Sequence, residues 1–169
     1  MATMNMTGTD RIEKTIVLRA PLERVWRAIG DSREFGRWFG VTFREPFVAG
    51  RKITGTITKT EVDPEVAKMQ EPYVGIAFDF EIERIEPMRL FSFRWHPGAV
   101  DPNVNYAKEP TTLVVFALES LAESTRLTIT ESGFERIPLE RRAQTFSGNE
   151  AGWEHQTKLI AKYLAREGR

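Results

Sequence analysis

The stretch FSGNEAGWEHQTKLIAKYL, Phe146 to Leu164, constrains the fold more than any other part of this chain. With the residues ahead of it, from about Pro138 to Arg166, it has the period of one long helix. Residues placed at the helical turn angle gather Leu139, Phe146, Trp153, Thr157, Ile160 and Leu164 on a single stripe, with Glu140, Glu154, Lys158 and Lys162 opposite. A helix with one apolar stripe buries it against another layer, here a sheet. Two features interrupt the stripe: Gly148 and Gly152 flank it, and Asn149 and Gln156 lie inside it. Small and polar residues there either leave polar-lined room beside the helix or merely bend it and let it approach the sheet closely.

The rest of the chain supplies that sheet. RIEKTIVLRA alternates as a first strand, Ile12, Lys14 and Ile16 on one parity and Val17 and Arg19 on the other. A short helix follows, with Pro21 at its start, Leu22, Val25, Trp26 and Ile29 as its stripe and Gly30 closing it. Asp31 or Ser32 then caps a second short helix whose apolar side is Phe35, Trp38 and Phe39. Beyond it the period changes to two. Residues 40–62 read as two strands around a turn at Ala49-Gly50. In the next strand Ile76, Phe78, Phe80 and Ile82 oppose Asp79, Glu81 and Glu83, and in the one after it Phe91, Phe93 and Trp95 oppose Ser92, Arg94 and His96. Residues 111–121 and 124–134 form a hairpin across Ala122-Glu123. Asp63 to Pro72 and Pro97 to Pro110 read as polar loops. One strand, two short helices, about six more strands and a long helix give an α+β domain with an antiparallel sheet.

The 169 residues suit one domain with one core, residues 11–169, preceded by a disordered leader at 1–10. Lys plus Arg equals Asp plus Glu at 24 each, so nothing favours nucleic acid or an anionic membrane as partner. There is no cysteine, which removes disulfides, thiolate metal sites and thiol catalysis. The first ten residues lack the basic and apolar regions of a secretory signal, and no apolar run reaches membrane-spanning length, so a cytoplasmic protein, monomer or homodimer, is expected.

Motifs for chemistry are sparse. His96 and His155 have no metal-ligand spacing and read as surface residues; no metal or cofactor is expected. There is no GxSxG elbow, and GRKITG lacks the spacing of a phosphate loop. Asp79, Glu81 and Glu83 read as a solvated sheet face. Glu131 differs, because it shares parity with Leu127 and Ile129 and so points toward the core near the end of its strand. It is an exposed strand-end residue, a partner of Arg84 or Arg142, or a functional carboxylate. Glu150, at the stripe's edge, carries the same ambiguity.

Several segments resemble one family. APLERVWRAIGDSREFGRWFG resembles the opening of the START-like (SRPBCC) superfamily, in the branch of homologues of the heat-shock chaperone ATPase activator; TRLTITESGF resembles that branch's last strand, and NEAGWEHQTKLIAKYL its closing helix. The resemblance covers roughly residues 11 to 165. It implies a helix-grip fold, a curved antiparallel sheet around the C-terminal helix with a cavity between them, and it favours the first reading of the glycines. Members bind apolar molecules, and a minority catalyse reactions in the cavity. The chaperone-activating members carry a further N-terminal domain that this sequence does not show, and the loop after Trp95 is longer than usual for the branch.

The leading expectation is thus a small apolar or aromatic ligand held between sheet and helix. The aromatic walls are Phe78, Phe80, Phe91, Phe93, Trp95 and Phe116 with Ile129 on the sheet, and Phe146 and Trp153 on the helix. Glu131, Asn149 and Thr157 would orient the ligand. Two alternatives stand beside it. One is a polyketide cyclase or dehydratase using Glu131 as its acid–base group. The other is a chaperone-associated interaction module working through the Asp79–Glu81–Glu83 row.

Overall fold

A computed structural model describes residues 11–99 and 104–167; the leader expected at 1–10 lies outside them. Seven strands form one antiparallel sheet: β1 (Arg11–Leu18), β2 (Val41–Phe43), β3 (Lys52–Ile57), β4 (Ala77–Glu86), β5 (Leu90–Trp95), β6 (Thr112–Ser120) and β7 (Thr125–Ser132), in the order β1-β7-β6-β5-β4-β3-β2. Helices α1 (Leu22–Gly30) and α2 (Ser32–Phe39) follow β1, and α4 (Leu139–Glu167) closes the chain. This is the α+β helix-grip arrangement, and no helix among the described residues is long and apolar enough to cross a membrane.

The alternating strands are paired as their patterns require. Residues of β6 and β7 alternate strictly between buried and half-buried, from Thr112 to Leu118 and from Thr125 to Ser132. Phe80, Phe91, Phe93, Phe116, Leu127 and Ile129 all point into the core. A register shift in β4 between Ile82 and Arg84 leaves Glu83 and Arg84 both exposed and brings Ile85 opposite Phe91. Asp31 caps α2, its carboxylate accepting from the N–H groups of Arg33 (2.9 Å) and Glu34 (3.3 Å). The α1–α2 corner is pinned by Trp38, whose indole donates to the Ala28 carbonyl at 2.9 Å.

The structure corrects the expected pattern in two places outside the site. Asp63 to Pro72 is not a loop: α3 (Pro64–Gln70) forms there, with Asp63 as a cap accepting from Glu65 and Val66 and Pro64 at its start. None of its residues is fully buried, so it has no apolar stripe to betray it. In α4, Leu139 is 74% exposed rather than buried. It stands at the helix's first position, and Ile137 just ahead of it occupies the apolar place instead. Conversely, Leu159 and Tyr163 are fully buried although they lie off the sheet-facing stripe. The second half of α4 is flanked by α1 and α2 as well as the sheet, which widens its buried arc; the Tyr163 hydroxyl donates to Glu34 at 2.8 Å.

Candidate functional site

Glu131 is completely buried near the end of β7, and neither Arg84 nor Arg142 is its partner. Four neutral donors converge on it from β5, β6 and α4. The indole N–H of Trp153 donates to Oε1 at 2.8 Å and that of Trp95 to Oε2 at 2.8 Å. Thr112 Oγ1 donates to Oε2 at 2.6 Å, and Asn149 Nδ2 reaches both oxygens at 2.9 and 3.0 Å. A buried carboxylate is tolerated only when its lone pairs are occupied, and here five contacts occupy them. The group works as a clamp: it fixes two indole rings and one amide across the joint between sheet and helix.

On the far side of that clamp lies unfilled space. A cavity of about 330 Å³ sits between α4 and the β2–β4 end of the sheet, walled by Phe39, Val41, Ile57, Phe78 and Trp95. Asn149, Gly152 and Gln156 supply its α4 side, and Gln70, Tyr73, His96, Gly98 and Ala99 border it. A smaller recess of about 80 Å³ continues past Gly148 to Trp153. A Cβ built on Gly148 or Gly152 meets nothing within 4 Å; Gly148 is exposed, and half-buried Gly152 leaves room at the cavity rather than permitting close approach. The mouth is framed by two attachments. Gln70 ties α3 down, accepting from the Thr60 N–H at 2.7 Å and donating to the Phe39 carbonyl at 3.1 Å. Arg141 of α4 pairs with Glu109 and lies over the Tyr106 ring, holding the connection before β6. A larger groove of about 1050 Å³ runs along α1 and α2, but Glu23, Arg27, Arg33, Arg44 and Glu45 make it a charged, open surface.

The residues expected at the site divide between this cavity and the solid core. Phe78, Trp95, Asn149 and Trp153 border the open space. Glu131 stands behind three of them. Phe80, Phe91, Phe93, Phe116 and Ile129 are fully buried and do not border it; Phe80 and Phe93 stack at 3.9 Å. Phe146 packs edge-on against Phe134 at 5.1 Å, and Thr157 is buried with its hydroxyl on the Glu154 carbonyl. Glu150 is exposed and lies 3.9 Å from Lys14. His96, read as a surface residue, is half-buried on the cavity wall because the residues after it turn back over the mouth toward Thr145. Gln70 escaped the expected site set, while Gln156, singled out with Asn149 as a polar residue on the helix stripe but left out of the ligand-orienting set, borders the cavity as well. The acidic row is partly neutralised: Asp79 accepts from Thr54 at 2.7 Å, and Glu83 pairs with Arg94 at 3.2 Å.

Residues 19–165 match the family model described as Activator of Hsp90 ATPase homolog 1-like protein. No curated protein matches significantly. Among solved structures the chain is similar to DynU16, a protein from the dynemicin biosynthetic locus, at 26% identity and a TM-score of 0.63. That match covers 92% of this chain and 47% of DynU16, so the chain spans about half that protein's length. A protein from Mesorhizobium loti matches at 22% identity and TM-score 0.66 over 92% of this chain and 97% of that one. One from Arthrobacter aurescens matches at 20% and 0.71 over 96% and 90%. At these last identities the likeness concerns the fold.

Proposed function

The chain belongs to the family of Activator of Hsp90 ATPase homolog 1-like proteins, and from that premise we propose that it binds a small apolar molecule of aromatic character in the cavity beside α4. The observation that carries this reading is the empty surround of Gly152, a half-buried helix-interior glycine on the cavity wall with no packing reason for lacking a side chain. Around that space Phe39, Phe78 and Trp95 offer ring faces, and the polar groups are few, as in sites that hold small organic ligands. The likeness to a protein of a biosynthetic locus points the same way.

Binding accounts for the site better than acid–base catalysis. Glu131 is sealed behind Trp95, Asn149 and Trp153 with its oxygens occupied, so it serves the wall rather than a reacting group. The His96 ring also lines that wall, and its Nε2 donates to the Glu109 carbonyl at 3.1 Å. Native mass spectrometry of freshly purified protein, beside a Gly152→Leu variant, tests the proposal. A retained small molecule, or thermal stabilisation by small aromatic compounds, is expected in the parent and lost in the variant. The absence of both effects in the parent would overturn the reading.

A further inference from the structure

The cavity wall has an unusual polarity, and Glu131 is its source. The indole N–H groups of Trp95 and Trp153 both donate to that carboxylate, and one N–H of the Asn149 amide bridges its two oxygens, so the indoles have no donor left for a guest and the amide keeps one. Asn149 also keeps Oδ1, which takes no hydrogen bond among the described residues and is not sealed from solvent. Gln156 repeats the arrangement. Its Nε2 donates to the Phe39 carbonyl at 3.3 Å, and a carbonyl only accepts, so the other end of the amide is the oxygen. That Oε1 is buried without a partner, on a residue that borders the cavity. His96 follows suit, because Nε2 must carry the hydrogen it gives the Glu109 carbonyl, which leaves Nδ1 as an acceptor in the neutral ring. Gln70 has both ends engaged. No Lys or Arg borders the cavity among the described residues, and Tyr73, which does border it, is an exposed residue.

We infer that this cavity selects neutral aromatic guests that donate a hydrogen bond, phenols above all, over the bare ring system and over carboxylate-bearing molecules. The inference rests on the cavity reading above and names its ligand class. A hydroxyl reaching Asn149 Oδ1 or Gln156 Oε1 satisfies an acceptor that is otherwise idle, which is worth about tenfold in affinity. A carboxylate guest would meet no Lys or Arg to balance its charge among the described lining residues.

The test uses the purified chain and three matched probes, 2-naphthol, 2-methoxynaphthalene and naphthalene-2-carboxylate, titrated at neutral pH while tryptophan fluorescence and backbone amide NMR signals are followed. The naphthol should bind about tenfold more tightly than its methyl ether, which keeps the rings but cannot donate, and the carboxylate should bind more weakly than either. Gln156→Leu should shrink the naphthol-to-ether ratio. Equal affinities for naphthol and ether, or a carboxylate that binds as well as the naphthol, would overturn the inference and leave the cavity reading intact. No binding by any probe, with the Gly148 and Gly152 amide signals unmoved, would overturn both. Should the variant fail to fold, the three-probe comparison on the unaltered chain still decides.

Discussion

Gly36 and Gly152 both stand inside helices, yet they do opposite things. A Cβ on Gly36 of α2 would sit 2.0 Å from the Val41 carbonyl oxygen, whereas one on Gly152 of α4 would touch nothing within 4 Å. The first glycine lets α2 press onto β2 at the dense end of the domain. There Phe35 contacts Phe43, Phe47 and Phe80 with ring centroids 5.6–6.2 Å apart. The second marks the place where α4 stands off from the sheet. A helix normally gains from replacing glycine, so its retention needs a local cause. The causes here are contact in one case and emptiness in the other.

That contrast can be broken by experiment. The largest effect is expected in the solid half: Phe93→Ala should cost about 4 kcal/mol in urea unfolding, because its fully buried ring is stacked on Phe80. Phe78→Ala, half-buried beside the cavity, should cost much less, and equal losses would mean that the two halves are packed alike. Next comes the clamp. Glu131→Gln turns an amide NH₂ toward donors, and about 3 kcal/mol should be lost, with a changed near-ultraviolet dichroism from Trp95 and Trp153. Gly36→Ala should follow at about 2 kcal/mol of destabilisation, since the atom it meets is backbone. Gly152→Ala should invert the sign and stabilise by about 0.7 kcal/mol in the same assay. The smallest effect concerns α3. The hydrogen bond from Lys162, with the Val66 and Glu65 N–H groups, holds the Asp63 carboxyl below its ordinary value. A depressed value stabilises at neutral pH and is lost as the pH falls through the usual carboxylate range. Amide signals from Glu65 to Gln70 should therefore shift on acidification to about pH 3, while those of β6 and β7 stay in place.

How much of this was legible depends on whether a feature is local. Strand parity could be read because one sheet face is buried, so Phe91 and Phe93 declared themselves by spacing alone. Helix α3 could not be read from periodicity, having no buried residue, although Asp63 followed by Pro64 was a cap signal in plain view. The inward aim of Glu131 followed from Leu127 and Ile129, but its partners did not, because Trp95, Thr112, Asn149 and Trp153 lie 18 to 36 residues away in the chain. The cavity was the least accessible part. A glycine letter is the same whether it admits a neighbour, as at Gly36, or leaves a gap, as at Gly152. The extent of the core was overestimated as site for the same reason: Phe80 and Phe78 share a strand face, and only the position of α4 makes one a filler and the other a wall.

Among the described residues the sheet is open, with β1 and β2 at its two margins. A margin with unpaired backbone groups invites a foreign strand, and β1, at eight residues, is long enough to be a template for fibril growth. Lys14 sits on its inward parity and reaches Glu154 of α4 at 3.1 Å. A strand adding along β1 would shut that ammonium away from water, and the loss of hydration opposes the addition. Lys14, which ties the first strand to the last helix, thus stands where an inward charge opposes edge-on addition along β1.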